Sequence, residues 1–399
     1  MQWREFARYK LLQGLGLAFA AVCSPVSLGA QHALAAAVSP QVVPEDRYPA
    51  RHVDFPRGVV GVPDLVYATL PGFRPLHLDL YLPPTGPSNK THPFVVYLHG
   101  GGWQGGHTRQ SGAFSSWPTV LASLAARGYV VASVEYRLSS EARFPAAEQD
   151  VKAAIRWLRS KASTYGIDKS RGLVWGASAG GQLAALTATS CGVAKLEPVG
   201  APAWAGEPGG SKPLAAAGAA ADARAATDPR GAAGAATAAG AAPVAEPESD
   251  CVQGAVTWYG IFDFGTLASQ RDPNSAAFAD RETSADARYL GCKISACPPA
   301  IVAAASPVTY VDHDDPPMLL IHGLSDKTVP VAQSREMYDK LNAAGVQVQL
   351  LLVPDVDHSF IGKTPDDTRR ASREALGKVF EFIDATLGAG PAAVRGAAN

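Results

Sequence analysis

A serine on a predicted tight turn is the strongest chemical signal in the chain. Ser178 is the central residue of a Gly-Ala-Ser-Ala-Gly pattern at residues 176–180, which follows a predicted strand over residues 172–175 and precedes a predicted helix over residues 181–188. A sharp turn from a strand into a helix exposes its serine, and small neighbours prevent clashes in that strained geometry. The amino terminus of the following helix also favours developing negative charge. The pattern therefore predicts that Ser178 is a nucleophile.

A serine nucleophile needs a base and a carboxylate that orients the base. Among the histidines after Ser178, His358 lies in a loop directly after a predicted strand over residues 346–353, and Asp326 follows a predicted strand over residues 318–321. Because the carboxyl ends of parallel strands lie at one edge of a sheet, the three side chains can meet there. Their order along the chain, Ser then Asp then His, fits such a site. We therefore expect His358 to be the base and Asp326 to be its carboxylate.

The two other histidines in the second half of the chain are expected to have other roles. His322 stands at the end of a predicted strand and should pack inward, whereas His313 lies in an acidic loop and should be solvated. Asp355 and Asp357 remain alternatives to Asp326 as the orienting carboxylate.

A run of three glycines is a second chemical signal. Residues 99–103 read His-Gly-Gly-Gly-Trp and follow a predicted buried strand over residues 94–98. Consecutive glycines allow backbone N–H groups to approach a substrate closely, which an oxyanion hole requires. We expect His99 to hold this loop by hydrogen bonds rather than to act as a base.

Strands and helices alternate along the body of the chain and predict the fold class. Besides the elements named above, the predicted strands cover residues 76–82, 129–134 and 255–259, and the predicted helices cover residues 118–127, 146–165, 332–344 and 369–387. Such alternation predicts an α/β protein whose mostly parallel central sheet carries helices on both faces. An antiparallel hairpin is expected at the amino-terminal edge of the sheet.

These motifs together resemble the α/β-hydrolase superfamily, in particular its esterase and lipase group with an H-G-G-G loop, which is related to hormone-sensitive lipase. The most similar branch contains feruloyl-esterase-like enzymes and short-chain carboxylesterases. The resemblance covers residues 64–388 apart from an insertion. It is carried by blocks at residues 99–103, 136–138 with 144–147, 176–181 and 322–330, and by His358.

The resemblance implies a function and a site. It implies that Ser178, Asp326 and His358 form a catalytic triad. It also implies that three backbone N–H groups stabilise the oxyanion, those of Gly101, Gly102 and Ala179. The implied reaction is the hydrolysis of a small-molecule carboxylic ester through an acyl-enzyme, with short-chain, aryl or feruloyl-type esters as substrates and without a cofactor or a metal.

Other functions stay open at this point. A serine peptidase of the prolyl-oligopeptidase type is compatible with residues 322–330, and an amidase that cleaves arylformamides is a similar alternative. A catalytically inactive hydrolase fold that serves as an interaction module is a third. Such a module would normally lack a triad residue, and the chain has all three.

The amino-terminal residues have the composition of a secretory signal peptide. Three basic residues among the first ten precede an uncharged, mostly apolar run over residues 11–22, which is too short to span a bilayer, and small residues follow. We therefore predict a signal peptide over residues 1–35, cleaved after Ala30 or Ala35. The mature protein is accordingly expected to be secreted or periplasmic.

The rest of the chain is expected to form one catalytic domain with an insertion. An amino-terminal extension is predicted over residues 36–63, the catalytic domain over residues 64–388 and a carboxy-terminal tail over residues 389–399. Residues 215–242 contain 17 Ala and 4 Gly but no Val, Leu, Ile, Met or aromatic residue. Because such a segment has nothing to bury in a core, we predict a disordered insertion over about residues 196–248.

Four cysteines follow the predicted signal peptide, an even number that fits an oxidising compartment. Four cysteines allow three pairings. The short separation between Cys292 and Cys297 favours a disulfide between these two, which leaves Cys191 to pair with Cys251. No Cys-x2-Cys or His-x3-His pair indicates a zinc site.

The overall charge and hydropathy exclude two classes of partner. The 399 residues include 35 Lys+Arg and 36 Asp+Glu, so the chain has no basic excess that would attract a nucleic acid. No stretch approaches the roughly 18 consecutive apolar residues of a spanning helix, so no stable membrane span is expected.

Overall fold

One sheet runs through the part of the chain that the structure describes. A computed structural model describes residues 51–84, 90–198, 248–271 and 281–388. The strands of these residues, in chain order, are β1 Val53–Phe55, β2 Val59–Ala68, β3 Leu76–Leu82, β4 His92–Leu98, β5 Val130–Val134, β6 Ile167–Ala177, β7 Gly254–Trp258, β8 Met318–Gly323 and β9 Val348–Val353. Their order across the sheet is β1-β2-β3-β5-β4-β6-β7-β8-β9.

The sheet is mostly parallel, as predicted. Every pair of neighbours from β5 through β4 to β9 is parallel. The pairs β1–β2, β2–β3 and β3–β5 are antiparallel and confirm the expected hairpin at the amino-terminal edge. Because β6, β7, β8 and β9 are parallel neighbours, the loops that follow them lie at one edge of the sheet.

Helices cover both faces of this sheet. The α-helices of the described residues are α1 Trp117–Ala125, α2 Ala146–Ser160, α3 Ala162–Tyr165, α4 Ala179–Thr189, α5 Phe264–Gln270, α6 Ala285–Leu290, α7 Pro299–Ala305, α8 Val331–Ala343 and α9 Pro365–Leu387. Val96 of β4 packs on the face that α2, α4 and α8 cover, whereas its neighbour Val95 packs on the face that α1 and α9 cover. Successive strand residues face opposite sides of a sheet, so burial on both faces explains the uninterrupted apolar runs.

The sheet begins earlier in the chain than the sequence predicts. The predicted catalytic domain begins at residue 64, whereas the sheet already includes β1 and β2, which pair with each other, and β2 pairs with β3. A register shift between Val62 and Leu65 interrupts β2. Pro63 lies in that irregularity and cannot donate a ladder hydrogen bond, which hides the strand pattern in the sequence.

Several predicted segments lie outside the described residues. These are the signal peptide over residues 1–35, most of the remaining residues before β1, residues 199–247 of the predicted insertion and the tail over residues 389–399. Within the described part of the chain, no helix is both long and apolar enough to cross a membrane.

Candidate active site

Ser178 lies on the turn between β6 and α4, where the sequence predicts it. Its backbone has φ 54° and ψ −118°, a conformation that is costly for a residue other than glycine and is common at functional sites. The Ser178 N–H donates to the Trp258 carbonyl at 2.8 Å and fastens the turn to the end of β7. A Cβ atom at Gly180 would overlap the carbonyl oxygens of Leu98 and His99, so the pattern requires a glycine at this place.

Hydrogen bonds join Ser178 to the predicted base and carboxylate. His358 Nδ1 lies 2.7 Å from Asp326 Oδ2 and must donate its hydrogen, because an ionised carboxylate only accepts. His358 Nε2 is then free to accept the hydroxyl hydrogen of Ser178 at 2.9 Å. The structure therefore brings these three side chains together in one chain of hydrogen bonds.

The Asp326 carboxylate is fully buried and strongly hydrogen-bonded. Its Oδ1 accepts from the backbone N–H groups of Thr328 and Val329, each at 2.8 Å. Burial acts to raise the pKa of Asp326, but the hydrogen bonds from His322 and His358 outweigh this effect and hold the pKa well below its usual range. Asp326 is therefore ionised at every pH at which a histidine changes charge.

The glycine loop lies directly against the nucleophile. A Cβ atom at Gly100 would stand 3.3 Å from Ser178 Cβ. The next two residues have φ values in the left-handed range, 121° at Gly101 and 59° at Gly102, which glycine adopts without strain. Ala179 is the first residue of α4, where a backbone N–H has no partner within the helix. The glycine loop thus approaches Ser178 closely at Gly100, and α4 begins directly after Ser178.

His99 supports the glycine loop, as the sequence predicts. Its Nδ1 donates to the Gly100 carbonyl at 2.8 Å, and its ring stacks on Tyr136 with centroids 4.3 Å apart. Burial lowers the pKa of His99 to about 4, so the imidazole is neutral at neutral pH. Arg137, in the sequence block at residues 136–138, forms a buried bidentate ion pair with Asp150 of α2.

Two side chains around His358 were not expected from the sequence. The Tyr259 ring meets the His358 ring with centroids 4.6 Å apart, and Tyr259 has an unusual φ of 41°. Asp357 contacts the backbone rather than the His358 ring in the described hydrogen bonds: its Oδ1 accepts from the N–H groups of Lys327 and His358, at 2.8 and 2.7 Å. Asp357 therefore ties the two loops of the site together.

His322 and His313 lie where the sequence predicts them, and His322 has one further contact that was not predicted. The His322 side chain is fully buried and packs inward, but its Nε2 also lies 3.2 Å from Asp326 Oδ2. His313 is exposed in its acidic loop and forms, with Asp312 and Asp314, a group that is close enough to share a metal ion. This loop precedes β8, at the opposite end of the strand from Asp326, and such exposed acidic groups are common without a metal.

The cysteines pair as the sequence suggests. Cys191 and Cys251 lie at disulfide distance with Cα atoms 4.9 Å apart, and Cys292 and Cys297 do the same at 5.2 Å. Two such pairs fit a protein that folds in an oxidising compartment.

Solved structures with the same arrangement of strands and helices identify the fold. A truncated carbohydrate esterase from gut microbiota is 24% identical with a TM-score of 0.56, and the alignment covers 82% of this chain and 95% of that one. An esterase from Thermogutta terrifontis, Est2, is 22% identical with a TM-score of 0.55, covering 83% and 94%. The chain thus has the α/β-hydrolase fold.

The family follows from the sequence comparison. The chain belongs to the BD-FAE family, which matches residues 78–204 and 235–341, together more than half of its length. The match includes Ser178 and Asp326 but ends before His358. Esterase LipQ of Mycobacterium tuberculosis is 27% identical over 321 residues, which are 79% of this chain and 59% of the relative. The chain spans 54–59% of the length of LipQ and two further curated relatives.

Proposed function

We propose that the chain is a carboxylic ester hydrolase that acts through Ser178, His358 and Asp326 and an acyl-enzyme intermediate. The observation that carries the proposal is the pair of hydrogen bonds from Ser178 Oγ to His358 Nε2, at 2.9 Å, and from His358 Nδ1 to Asp326 Oδ2, at 2.7 Å. Membership of the BD-FAE family and the names of the relatives, esterase and carboxylic ester hydrolase, support the same class of reaction.

The proposed reaction has two steps. Ser178 Oγ attacks the ester carbonyl carbon while His358 Nε2 accepts the hydroxyl proton, and Asp326 stabilises the resulting imidazolium. The tetrahedral intermediate then collapses, the C–O bond to the alcohol breaks, and His358 returns the proton to the leaving alcohol. In the second step water attacks the acyl group in the same way, releasing the acid and restoring the Ser178 hydroxyl.

The oxyanion of each tetrahedral intermediate would be bound by the N–H groups of Gly101, Gly102 and Ala179. Such donors are already oriented before the reaction starts, so no energy is spent on reorienting them. Removal of one such donor from an enzyme lowers kcat by a factor of about 10²–10³. Two observations support this assignment: the glycine loop approaches Ser178 closely at Gly100, and α4 begins directly after Ser178.

The substrates we propose are short-chain, aryl or feruloyl-type esters of small molecules. Membership of the BD-FAE family supports this class. The His358 side chain is 17% exposed although Asp326 beneath it is fully buried, so the reactive end of the triad is open to a small molecule from solution.

A panel of substrates tests the proposal. It contains p-nitrophenyl esters of rising acyl length, methyl ferulate and a peptide p-nitroanilide. We expect ester hydrolysis, and we expect Ser178→Ala to lower kcat by about 10⁴–10⁶ without loss of folding. Ser160→Ala, on the exposed side of α2, is the matched control and should retain full activity.

Two results would contradict the proposed function. One is a folded Ser178→Ala protein that keeps a tenth of the wild-type turnover. The other is a preference for the peptide p-nitroanilide over every ester, which would favour a peptidase.

A further inference from the structure

The carboxylate of Asp326 is shared by two imidazoles. His358 Nδ1 lies 2.7 Å from Oδ2, and His322 Nε2 lies 3.2 Å from the same oxygen. The side chains of His322 and Asp326 are both fully buried. His322 belongs to β8 and Asp326 to the loop that follows it, so the second imidazole reaches the carboxylate from beneath the site.

The neighbours of His322 determine which of its nitrogens carries the hydrogen. Its Nε2 faces two acceptors, the Val329 carbonyl oxygen at 2.9 Å and Asp326 Oδ2 at 3.2 Å. Its Nδ1 lies 2.7 Å from Ser334 Oγ, which can donate. An Nε2 without hydrogen would direct its lone pair at two oxygens, so Nε2 must be the protonated nitrogen.

We propose that His322 is a positioning residue of the reaction: its Nε2–H, which donates to the Val329 carbonyl oxygen, also lies against Asp326 Oδ2 and so keeps the carboxylate ionised and correctly oriented towards His358. The inference deepens the proposed function and depends on it, because Asp326 matters only if His358 is the base. His322 touches neither Ser178 nor the place of the substrate in any described contact, so it acts through Asp326.

This donor affects the charge balance of the triad. An N–H beside Asp326 disperses its negative charge, which limits how strongly the carboxylate stabilises a protonated His358. Without this N–H, the carboxylate would stabilise the charged imidazole more strongly and would lose one of the contacts that fix its position. The other ionisable groups near the triad are Tyr259, Lys327 and Asp357.

Two substitutions of His322 by an amide residue distinguish this positioning role from a role in packing alone. In His322→Gln the amide nitrogen can take the place of Nε2, donating to the Val329 carbonyl and lying beside Asp326. In His322→Asn the shorter amide reaches Ser334 but not Asp326. We expect His322→Asn to lower kcat by about tenfold or more with little change in KM. We also expect His322→Asn to move the acid limb of the pH profile of kcat/KM to higher pH by about 0.5–1 unit. His322→Gln should stay close to the wild type in both kcat and the pH profile.

The matched control is His313→Asn, which makes the same substitution at an exposed histidine and should change neither quantity. Equal profiles for folded His322→Asn and His322→Gln would overturn the inference. Nitrogen NMR of the wild-type imidazoles at neutral pH tests it without any variant: Nε2 of His322 should carry the hydrogen, and an unprotonated Nε2 would also overturn it. If Ser178→Ala keeps its activity, the proposed function itself fails, which is a different outcome.

Discussion

At the scale of single residues, hydrogen bonds replace the water that Asp326 has lost. Burial of a carboxylate favours its neutral form, but N–H groups of Thr328, Val329 and His358 donate to its two oxygens. The His322 Nε2–H lies 3.2 Å from one of these oxygens. Their combined effect keeps the pKa of Asp326 below its usual range. A carboxylate that stays ionised can stabilise the imidazolium that forms during the proposed reaction.

The orienting role of Asp326 leads to a comparison of three carboxylates. Asp326→Asn should lower kcat by a factor of about 10⁴, because a neutral amide lacks the negative charge that stabilises the protonated His358. Asp357→Asn should be mild because an amide oxygen can still accept the two backbone N–H groups that Asp357 binds. Asp355→Asn, at a 75% exposed side chain, is the control. A severe effect of Asp357→Asn together with a mild effect of Asp326→Asn would show that the carboxylate is misassigned.

The positions of the proposed triad residues could be predicted from the sequence, whereas the contacts that hold their side chains could not. Ser178, Asp326 and His358 each follow an apolar run, and parallel pairing places such residues at one edge without knowledge of the helices. The bond from His322 to Asp326 depends instead on how the loop after β8 folds back and on Ser334 of α8. Those contacts come from packing, which leaves no periodic pattern in the sequence.

At the scale of elements, the central strands were predicted better than the short ones. The runs in β4, β6 and β8 are buried on both faces, so their apolar residues are continuous and easily recognised. The helices α5, α6 and α7 have six or seven residues each and were not predicted, because such short segments show too few turns for a helical period. The predicted helix over residues 146–165 is divided at Lys161 into α2 and α3.

A buried glutamate on α2 predicts a pH-dependent stability. Glu148 is fully buried, and burial raises its pKa from 4.5 to about 8. The folded protein thus holds this proton more tightly than the unfolded chain. The resulting stability is complete below pH 4.5 and is lost as the pH rises through about 8.

Glu148→Gln removes this titration and so gives the test. The Tm of the wild type should fall relative to that of Glu148→Gln as the pH is raised from about 5 to about 8.5, by roughly 2–4 °C for each kcal/mol involved. Glu374→Gln, at an exposed position of α9, should show no such trend. A Tm difference for Glu148→Gln that is the same at every pH would show that Glu148 is already ionised in the folded protein.

The described residues on either side of the predicted insertion are fixed to the helices below them. Cys191, just beyond α4, and Cys251, just before β7, lie at disulfide distance. The Lys152 ammonium of α2 lies 2.5 Å from Asp250 Oδ2, with both side chains fully buried. The described residues on both sides of this segment are therefore held by a disulfide and a buried ion pair.

The first disulfide should contribute more stability than the second. The Cys191–Cys251 bond encloses 60 residue steps, which corresponds to on the order of 4 kcal/mol of chain entropy, against about 2 kcal/mol for the 5 steps of Cys292–Cys297. Cys191→Ser should therefore lower the Tm more than Cys292→Ser, and adding Cys251→Ser should cost nothing further. An equal or smaller loss for Cys191→Ser would contradict this assignment.

The predicted insertion can be removed separately. Replacement of residues 203–246 by a short Gly/Ser linker should leave the turnover of small esters within a few-fold, since residues 215–242 within this segment contain no Val, Leu, Ile, Met or aromatic residue to bury in a core. Loss of activity in a folded deletion variant would show instead that the segment forms part of the substrate pocket.

At the scale of the whole molecule, the sheet explains why distant residues form one site. Ser178 and His358 are separated by 180 positions and yet are hydrogen-bonded. The loops after β6, β8 and β9 meet at one edge because these strands belong to the same parallel array. The fold class could therefore be predicted from strand and helix alternation alone, whereas the start of the sheet at Val53 could not, because β1 has only three residues.

The account is tested most directly by trapping the acyl-enzyme. The full protein is mixed with a p-nitrophenyl ester, quenched in acid during turnover, and examined by intact-mass spectrometry and peptide mapping. We predict one acyl group per chain, located on the peptide that contains Ser178, and none in Ser178→Ala. An acyl group on a different residue of a protein that turns the ester over would contradict the central claim, as would steady hydrolysis by Ser178→Ala.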